Sequence, residues 1–122
     1  MELYNEVLPE FQKHDAEVLG ISVDGAWCHA AFAQQRHLRF PLLADFEPKG
    51  AVSRAYGAYR EHDGFSERAL FVIDPEGTLR YKVVHDLNIG RSAEETLRVI
   101  QALQTSGLCQ AEWRPGQETI KA

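Results

Sequence analysis

The sequence predicts an α/β domain. Three observations carry that class: helical apolar stripes alternate with short apolar runs, the most apolar run leads through a turn signal into a second strand, and no segment repeats or falls to low complexity. At 122 residues, 44% apolar and 25% charged, the chain has the length and composition of one globular domain.

The elements follow in order. Leu3, Val7 and Phe11 recur at four-residue spacing and predict a helix from roughly Glu2 to Asp15, bent by Pro9. Val18, Leu19, Ile21 and Val23 are separated only by Gly20 and Ser22, so apolarity on both faces predicts a parallel strand covered on both sides. Asp24 is placed to cap a second helix, Gly25 to about His37, because its carboxylate can accept from the free amides of a first turn; Trp27 and Ala31 mark the inner face. Phe40 to Asp45 contains Pro41 and predicts a brief strand or an extended connection.

Val52, Tyr56 and Tyr59 predict a third helix from about Pro48. Ala69 to Ile73 is the most apolar run; it ends at Asp74-Pro75-Glu76-Gly77, and Leu79, Tyr81 and Val83 then alternate with Arg80, Lys82 and Val84. That pattern predicts a hairpin of a central strand and a half-exposed one. Ser92-Ala93-Glu94-Glu95 is a capping box, and Leu97, Ile100 and Leu103 behind it predict a helix from Ala93 to Gln104. Residues 1–104 therefore form the domain and residues 105–122 an irregular tail. A parallel α/β unit normally opens on a strand, and this chain opens on a helix, so an initial strand is expected to be missing.

Thirteen Lys and Arg against eighteen Asp and Glu give a net charge of −5, which offers no electrostatic footprint for nucleic acid or an anionic membrane. The expected partners are small molecules or proteins. No apolar run approaches the roughly 18 residues of a membrane span, and Met-Glu-Leu-Tyr-Asn lacks the character of a secretory signal, so the cytoplasm is the expected location. Cys28 and Cys109 form neither a CxxC motif nor a metal cluster. Cys28 falls in the first turns of the second helix, where a thiol is either activated by amide dipoles or simply buried as a small apolar group. His14, His29, His37, His62 and His85 show no supported pair at ligand spacing and are expected at the surface or an interface.

Four blocks carry a resemblance. Ala16-Glu17-Val18-Leu19-Gly20-Ile21-Ser22-Val23-Asp24, Phe40-Pro41-Leu42-Leu43-Ala44-Asp45, Arg68-Ala69-Leu70-Phe71-Val72-Ile73-Asp74-Pro75-Glu76-Gly77 and His85-Asp86-Leu87-Asn88-Ile89-Gly90-Arg91-Ser92 resemble peroxiredoxins of the alkyl hydroperoxide reductase / thiol-specific antioxidant family. The tail segment Cys109-Gln110-Ala111-Glu112-Trp113-Arg114-Pro115-Gly116 is similar to the resolving-cysteine segment of typical two-cysteine members, with Gln110 where Cys-Pro-Ala-x-Trp-x-Pro-Gly has proline.

The resemblance implies a thioredoxin-like fold and a cofactor-free peroxidase acting on hydrogen peroxide and organic hydroperoxides. A peroxidatic thiolate becomes a sulfenic acid, a resolving cysteine traps it as a disulfide, and a thioredoxin-like reductant reopens the bond. It implies that Arg68 donates to the peroxidatic sulfur and the peroxide oxygens, that Arg91 is a second arginine near the site, and that Cys109 is the resolving thiol. It gives Cys28 no catalytic place, and it implies a homodimer or a ring of dimers. The family's Pro-x-x-x-Thr/Ser-x-x-Cys motif does not occur in these 122 residues, and matching Leu8-Pro9-Glu10-Phe11 to the family places that cysteine upstream of Met1. Two readings follow. The chain belongs to a peroxidase that carries further residues including the peroxidatic cysteine and the opening strands, or it is a non-catalytic redoxin-like subunit. Loss of the first core strand would leave the strands at Val18–Val23 and Ala69–Ile73 without a shared neighbour, which predicts weak stability or self-association through open edges.

Overall fold

The structure is a computed structural model that describes residues 2–120. Its elements run α1 (Glu2–Glu6), α2 (Leu8–Lys13), β1 (Gly20–Ser22), α3 (Ala26–Arg36), β2 (Leu42–Ala44), α4 (Ala51–Ala55), β3 (Tyr59–Arg60), β4 (Phe65–Ser66), β5 (Arg68–Ile73), β6 (Leu79–His85) and α5 (Ala93–Gln104).

The single bent helix expected over Glu2–Asp15 is two helices interrupted at Val7. Pro9 explains the break. It sits in the first turn of α2, where a missing N–H removes nothing because those amides have no helical partner, so the chain restarts at Leu8 and does not bend through. The restart turns Leu8 and Phe11 inward, at 3% and 1% exposure. The helix stops before Asp15, whose φ of 58° is left-handed.

β1 pairs in parallel with β2, Gly20 opposite Leu42 and Ser22 opposite Ala44. The expected burial of both its faces does not occur: Leu19 and Ile21 are exposed, because among the described residues β1 has a neighbour on one edge only. The predicted Asp24 cap is also absent. Gly25 is the N-cap of α3 with no side-chain bond, and the Asp24 carboxylate instead accepts from the Ser22 hydroxyl at 2.8 Å. The inner face of α3 carries His29 and the half-buried Ala33, whereas Trp27 is 92% exposed and Ala31 is exposed. His29 is thus buried within the chain, rather than at the surface or interface position expected for it. Its Nε2 lies 2.6 Å from Ser22 Oγ, a bond that ties α3 to β1.

The third helix begins later and ends sooner than its apolar stripe suggests. Gly50 precedes it at φ 73°, with the Tyr59 ring packed where a side chain would stand, so only glycine fits there. Val52 and Tyr56 are exposed, and Tyr59 belongs to β3, the first strand of a small β3–β4 hairpin. The larger hairpin forms as predicted, with β5 antiparallel to β6 from Arg68 opposite His85 to Ile73 opposite Leu79. Its turn is closed by Asp74, whose carboxylate accepts from the amides of Glu76 and Thr78 at 3.0 and 2.9 Å. α5 spans the predicted residues, and Ser92 Oγ accepts from the Glu95 amide at 3.1 Å.

The three strand pairs form three separate sheets. β5 therefore pairs with β6 alone among the described residues and is not central, which corrects the expectation for it. Between the β1 segment and β5 lies a cleft of about 850 Å³, lined by Tyr4, Ile21, Phe40, Phe71, Arg91 and Ile100 among others. Among the described residues the two strands share no neighbour, and apolar side chains line the space between them. Among the described residues past Thr105 there is no helix or strand, and Trp113 there is buried at 3% exposure.

Candidate functional site

Arg68 opens β5, and the loop that follows β6 folds back toward it. The Ile89 amide donates to the Asp86 carbonyl at 2.9 Å and His85 Nδ1 lies 3.0 Å from the Gly90 carbonyl, a turn that returns the chain beside the start of β5. Arg68 Nε donates to the Leu87 carbonyl in this loop. Arg91, at the loop's end, is half-buried and lines the cleft.

Burial lowers the Arg91 pKa from its ordinary value; nearby Tyr4 acts in the opposite sense and the positive field of Arg68 lowers it further. A guanidinium nonetheless stays protonated at neutral pH. Among the described residues neither arginine forms an ion pair with a carboxylate. A half-buried guanidinium in the positive field of a second one, with no carboxylate paired to either among the described residues, has the chemistry to attract negative charge.

Tyr4 is a member of this site that sequence reasoning missed. Its hydroxyl lies 3.3 Å from the Arg91 carbonyl, 3.3 Å from the Ser92 carbonyl and 3.2 Å from Thr96 Oγ1, so it pins α1 to the junction of Arg91 and α5. The available signal was an aromatic residue with a polar tip on an otherwise apolar helix face.

Arg68, bonded to the Leu87 carbonyl, contributes positive field at Arg91, whereas Cys109 lies elsewhere. The Cys109 thiol lies 3.9 Å from the Ala102 carbonyl at the end of α5, in a separate cavity of about 450 Å³ that Arg80, Tyr81 and Arg98 also line. Cys28 is exposed on α3, and both thiols are free. Among the described residues no cluster of His, Cys, Asp and Glu has the makings of a metal site.

A family model described as the AhpC/TSA family matches residues 1–82, two thirds of the chain. The chain belongs to the AhpC/TSA family. It is 48% identical over 118 residues to a Bacillus subtilis protein named as the putative peroxiredoxin YkuU, covering 91% of this chain and 64% of that protein. It is 41% identical over 123 residues to peroxiredoxin-1 of Gekko japonicus, covering 92% of this chain and 61% of that one. Among solved structures, the reduced 2-Cys peroxiredoxin of Plasmodium vivax superposes with a TM-score of 0.87 at 30% identity, over 98% of this chain and 66% of that one. Mycobacterium tuberculosis AhpC gives 0.81 at 32% identity, over 93% and 65%. The fold is therefore thioredoxin-like, and this AhpC/TSA chain spans just under two thirds of the length of the curated relatives it matches.

Proposed function

We propose that the chain works in a thiol-dependent peroxidase that reduces hydrogen peroxide and organic hydroperoxides, with Arg68 and Arg91 as its peroxide-binding cations and Cys109 as its resolving thiol. The observation that carries the reading is the half-buried Arg91 that lines the cleft of an AhpC/TSA chain with no carboxylate partner among the described residues, in the positive field of Arg68. In this reading the attacking thiolate comes from the family motif, which is not among these 122 residues, and Cys28 has no part.

The chemistry then balances as follows. The thiolate sulfur attacks one peroxide oxygen and the O–O bond breaks; the leaving oxygen takes a proton and departs as water or alcohol, with the sulfur oxidised to sulfenic acid. Guanidinium N–H groups donate to the departing oxygen, where negative charge develops. The Cys109 sulfur next displaces the sulfenic hydroxyl as water and forms a disulfide, and a thioredoxin-like dithiol reduces that bond by exchange while becoming a disulfide itself. A homodimer or ring of dimers and a cytoplasmic setting go with this reading. Among the described residues no helix is long and apolar enough to cross a membrane.

The test pairs intact-mass measurement of the native protein with peroxide consumption driven by thioredoxin. Arg68→Met is expected to lower the rate by roughly a hundredfold or more, the scale for removing one preorganised donor. Cys109→Ser is expected to stop turnover with thioredoxin while a single oxidation persists. Native protein that has the mass of these residues alone and consumes no peroxide would establish the non-catalytic reading instead.

A further inference from the structure

The tail that carries Cys109 has no regular element, yet it is a closed unit fastened to α5. Within it, the Ile120 amide donates to the Leu108 carbonyl at 2.7 Å, Trp113 Nε1 to the Gln117 carbonyl at 3.1 Å, and the Arg114 amide to Gln117 Oε1 at 2.9 Å. Gly107 allows the two ends of the loop to meet, since a side chain there would collide with Thr119. Its fastening centres on Arg98, beside an exposed Arg114–Glu94 ion pair at 3.6 Å and the burial of Trp113. Arg98 on α5 donates through Nε and Nη2 to both oxygens of Glu95, at 2.7 and 2.8 Å, and through Nη1 to the Trp113 carbonyl at 2.8 Å.

We infer that Arg98 is a positioning residue that holds the Cys109 thiol in a docked, resting place on α5, so that opening this clasp presents the thiol to a partner sulfur. A disulfide needs the two sulfurs about 2 Å apart. In the docked state the Cys109 sulfur is half-buried and directed at the Ala102 carbonyl, with Thr105 Oγ1 at 3.7 Å. Because the loop is bonded to itself, release at Trp113 loosens residues 107–120 together, while Thr105 stays bonded to the Ala102 carbonyl. Arginine suits the task because its planar fork can grip a carboxylate with two N–H groups and keep a third for the tail, which an ammonium does not match.

The biological purpose of the clasp rests on Cys109 being the resolving thiol proposed above, whereas its existence is read directly by thiol labelling of the whole chain. Native protein is treated with iodoacetamide and each cysteine is followed by peptide mass spectrometry, with exposed Cys28 as internal reference. Arg98→Gln is expected to raise the Cys109-to-Cys28 rate ratio roughly tenfold or more, the factor carried by a charge-assisted hydrogen bond, and Arg98→Lys is expected to fall between. An unchanged ratio overturns the proposal. If Arg98→Gln speeds both cysteines together, the fold has been lost and Glu95→Gln decides. That change loosens the guanidinium but keeps the Ser92 cap, which uses the Glu95 backbone amide. Selective acceleration of Cys109 then supports the clasp and its absence refutes it. Native protein that has the mass of these residues alone, shows the selective effect and consumes no peroxide overturns the peroxidase reading and leaves the clasp standing.

Discussion

The hydroxyls of Tyr4 and Thr96 lie 3.2 Å apart across 92 positions of sequence, and this contact joins the first helix to the last beside Arg91. Thr96 Oγ1 also reaches the Ser92 carbonyl at 2.9 Å, so it keeps a partner when the phenol is removed. Tyr4→Phe is therefore expected to cost only about 0.5–1.5 kcal/mol, the net worth of one intramolecular hydrogen bond. The Tyr4–Phe11 ring contact at 6.0 Å survives that change. Urea denaturation of the two proteins checks the figure, and a loss several times larger would show that the hydroxyl holds more than this junction.

Asp45 predicts a pH dependence. Its carboxylate is buried at 5% exposure and accepts from the amides of Val52 and Ser53, both at 2.9 Å, as a remote cap on α4. Burial alone would raise its pKa, but these amide bonds overcome it and the net shift is downward from the ordinary 3.8. A depressed folded value means that the contribution is fully present above the unfolded pKa and fades as pH falls below about 4 toward the folded one. Asp45→Asn is expected to lower stability by about 1–3 kcal/mol at pH 7, with the gap to the parent narrowing in acid. Thermal melts of both proteins from pH 7 down to pH 3 measure this, and a gap that stays constant would exclude the carboxylate's charge as the cause.

The contrast between these residues shows what was legible in the sequence. α5 was readable to the residue because its signals are local: Ser92 and Glu95 set the cap, and Leu97, Ile100 and Leu103 set the period. The β5–β6 hairpin was readable for the same reason, through alternation and the Asp74 turn. The family blocks made Arg68 and Arg91 visible together, although neither carries a local signal of its own. What stayed hidden depends on distant partners. Asp45 looked like the end of a connection, and its role exists only because residues 52 and 53 return to it. α3 has apolar residues on more than one face, so its stripe did not reveal that His29 points inward and Trp27 outward. The burial expected for β1 rests on apolarity on both its faces, but coverage of those faces depends on packing partners, and Leu19 and Ile21 stay exposed.

Ser22 and His29 form a pair whose members are not equivalent. His29 Nδ1 is buried without a hydrogen-bond partner, so the 2.6 Å contact of Nε2 with Ser22 Oγ is the ring's one polar anchor among the described residues. Ser22→Ala strands both ring nitrogens and is expected to destabilise by about 1–3 kcal/mol. Adding His29→Leu to it removes the stranded group along with the anchor, so the double variant is expected to recover part of the loss. A double-mutant cycle in guanidinium chloride gives the coupling, and strictly additive single effects would dissolve the argument.

The open flanks of β1 and β5 predict the behaviour of the chain in solution. Each strand has one neighbour among the described residues, and the cleft between them exposes Ile21 and Ile73 at 39% and 47%. Unpaired strand edges beside apolar side chains are templates for pairing with another chain. Unsatisfied backbone groups at about 1–3 kcal/mol each are also a large burden for a domain that is stable by about 5–15 kcal/mol. The 122-residue chain is therefore expected to self-associate with rising concentration in sedimentation velocity, and Ile21→Lys is expected to shift it toward monomer, since a charge on an edge strand opposes pairing. Cooperative unfolding of a dilute monomer at high temperature, with no change of sedimentation on concentration, would show that the open edges are satisfied by water at little cost.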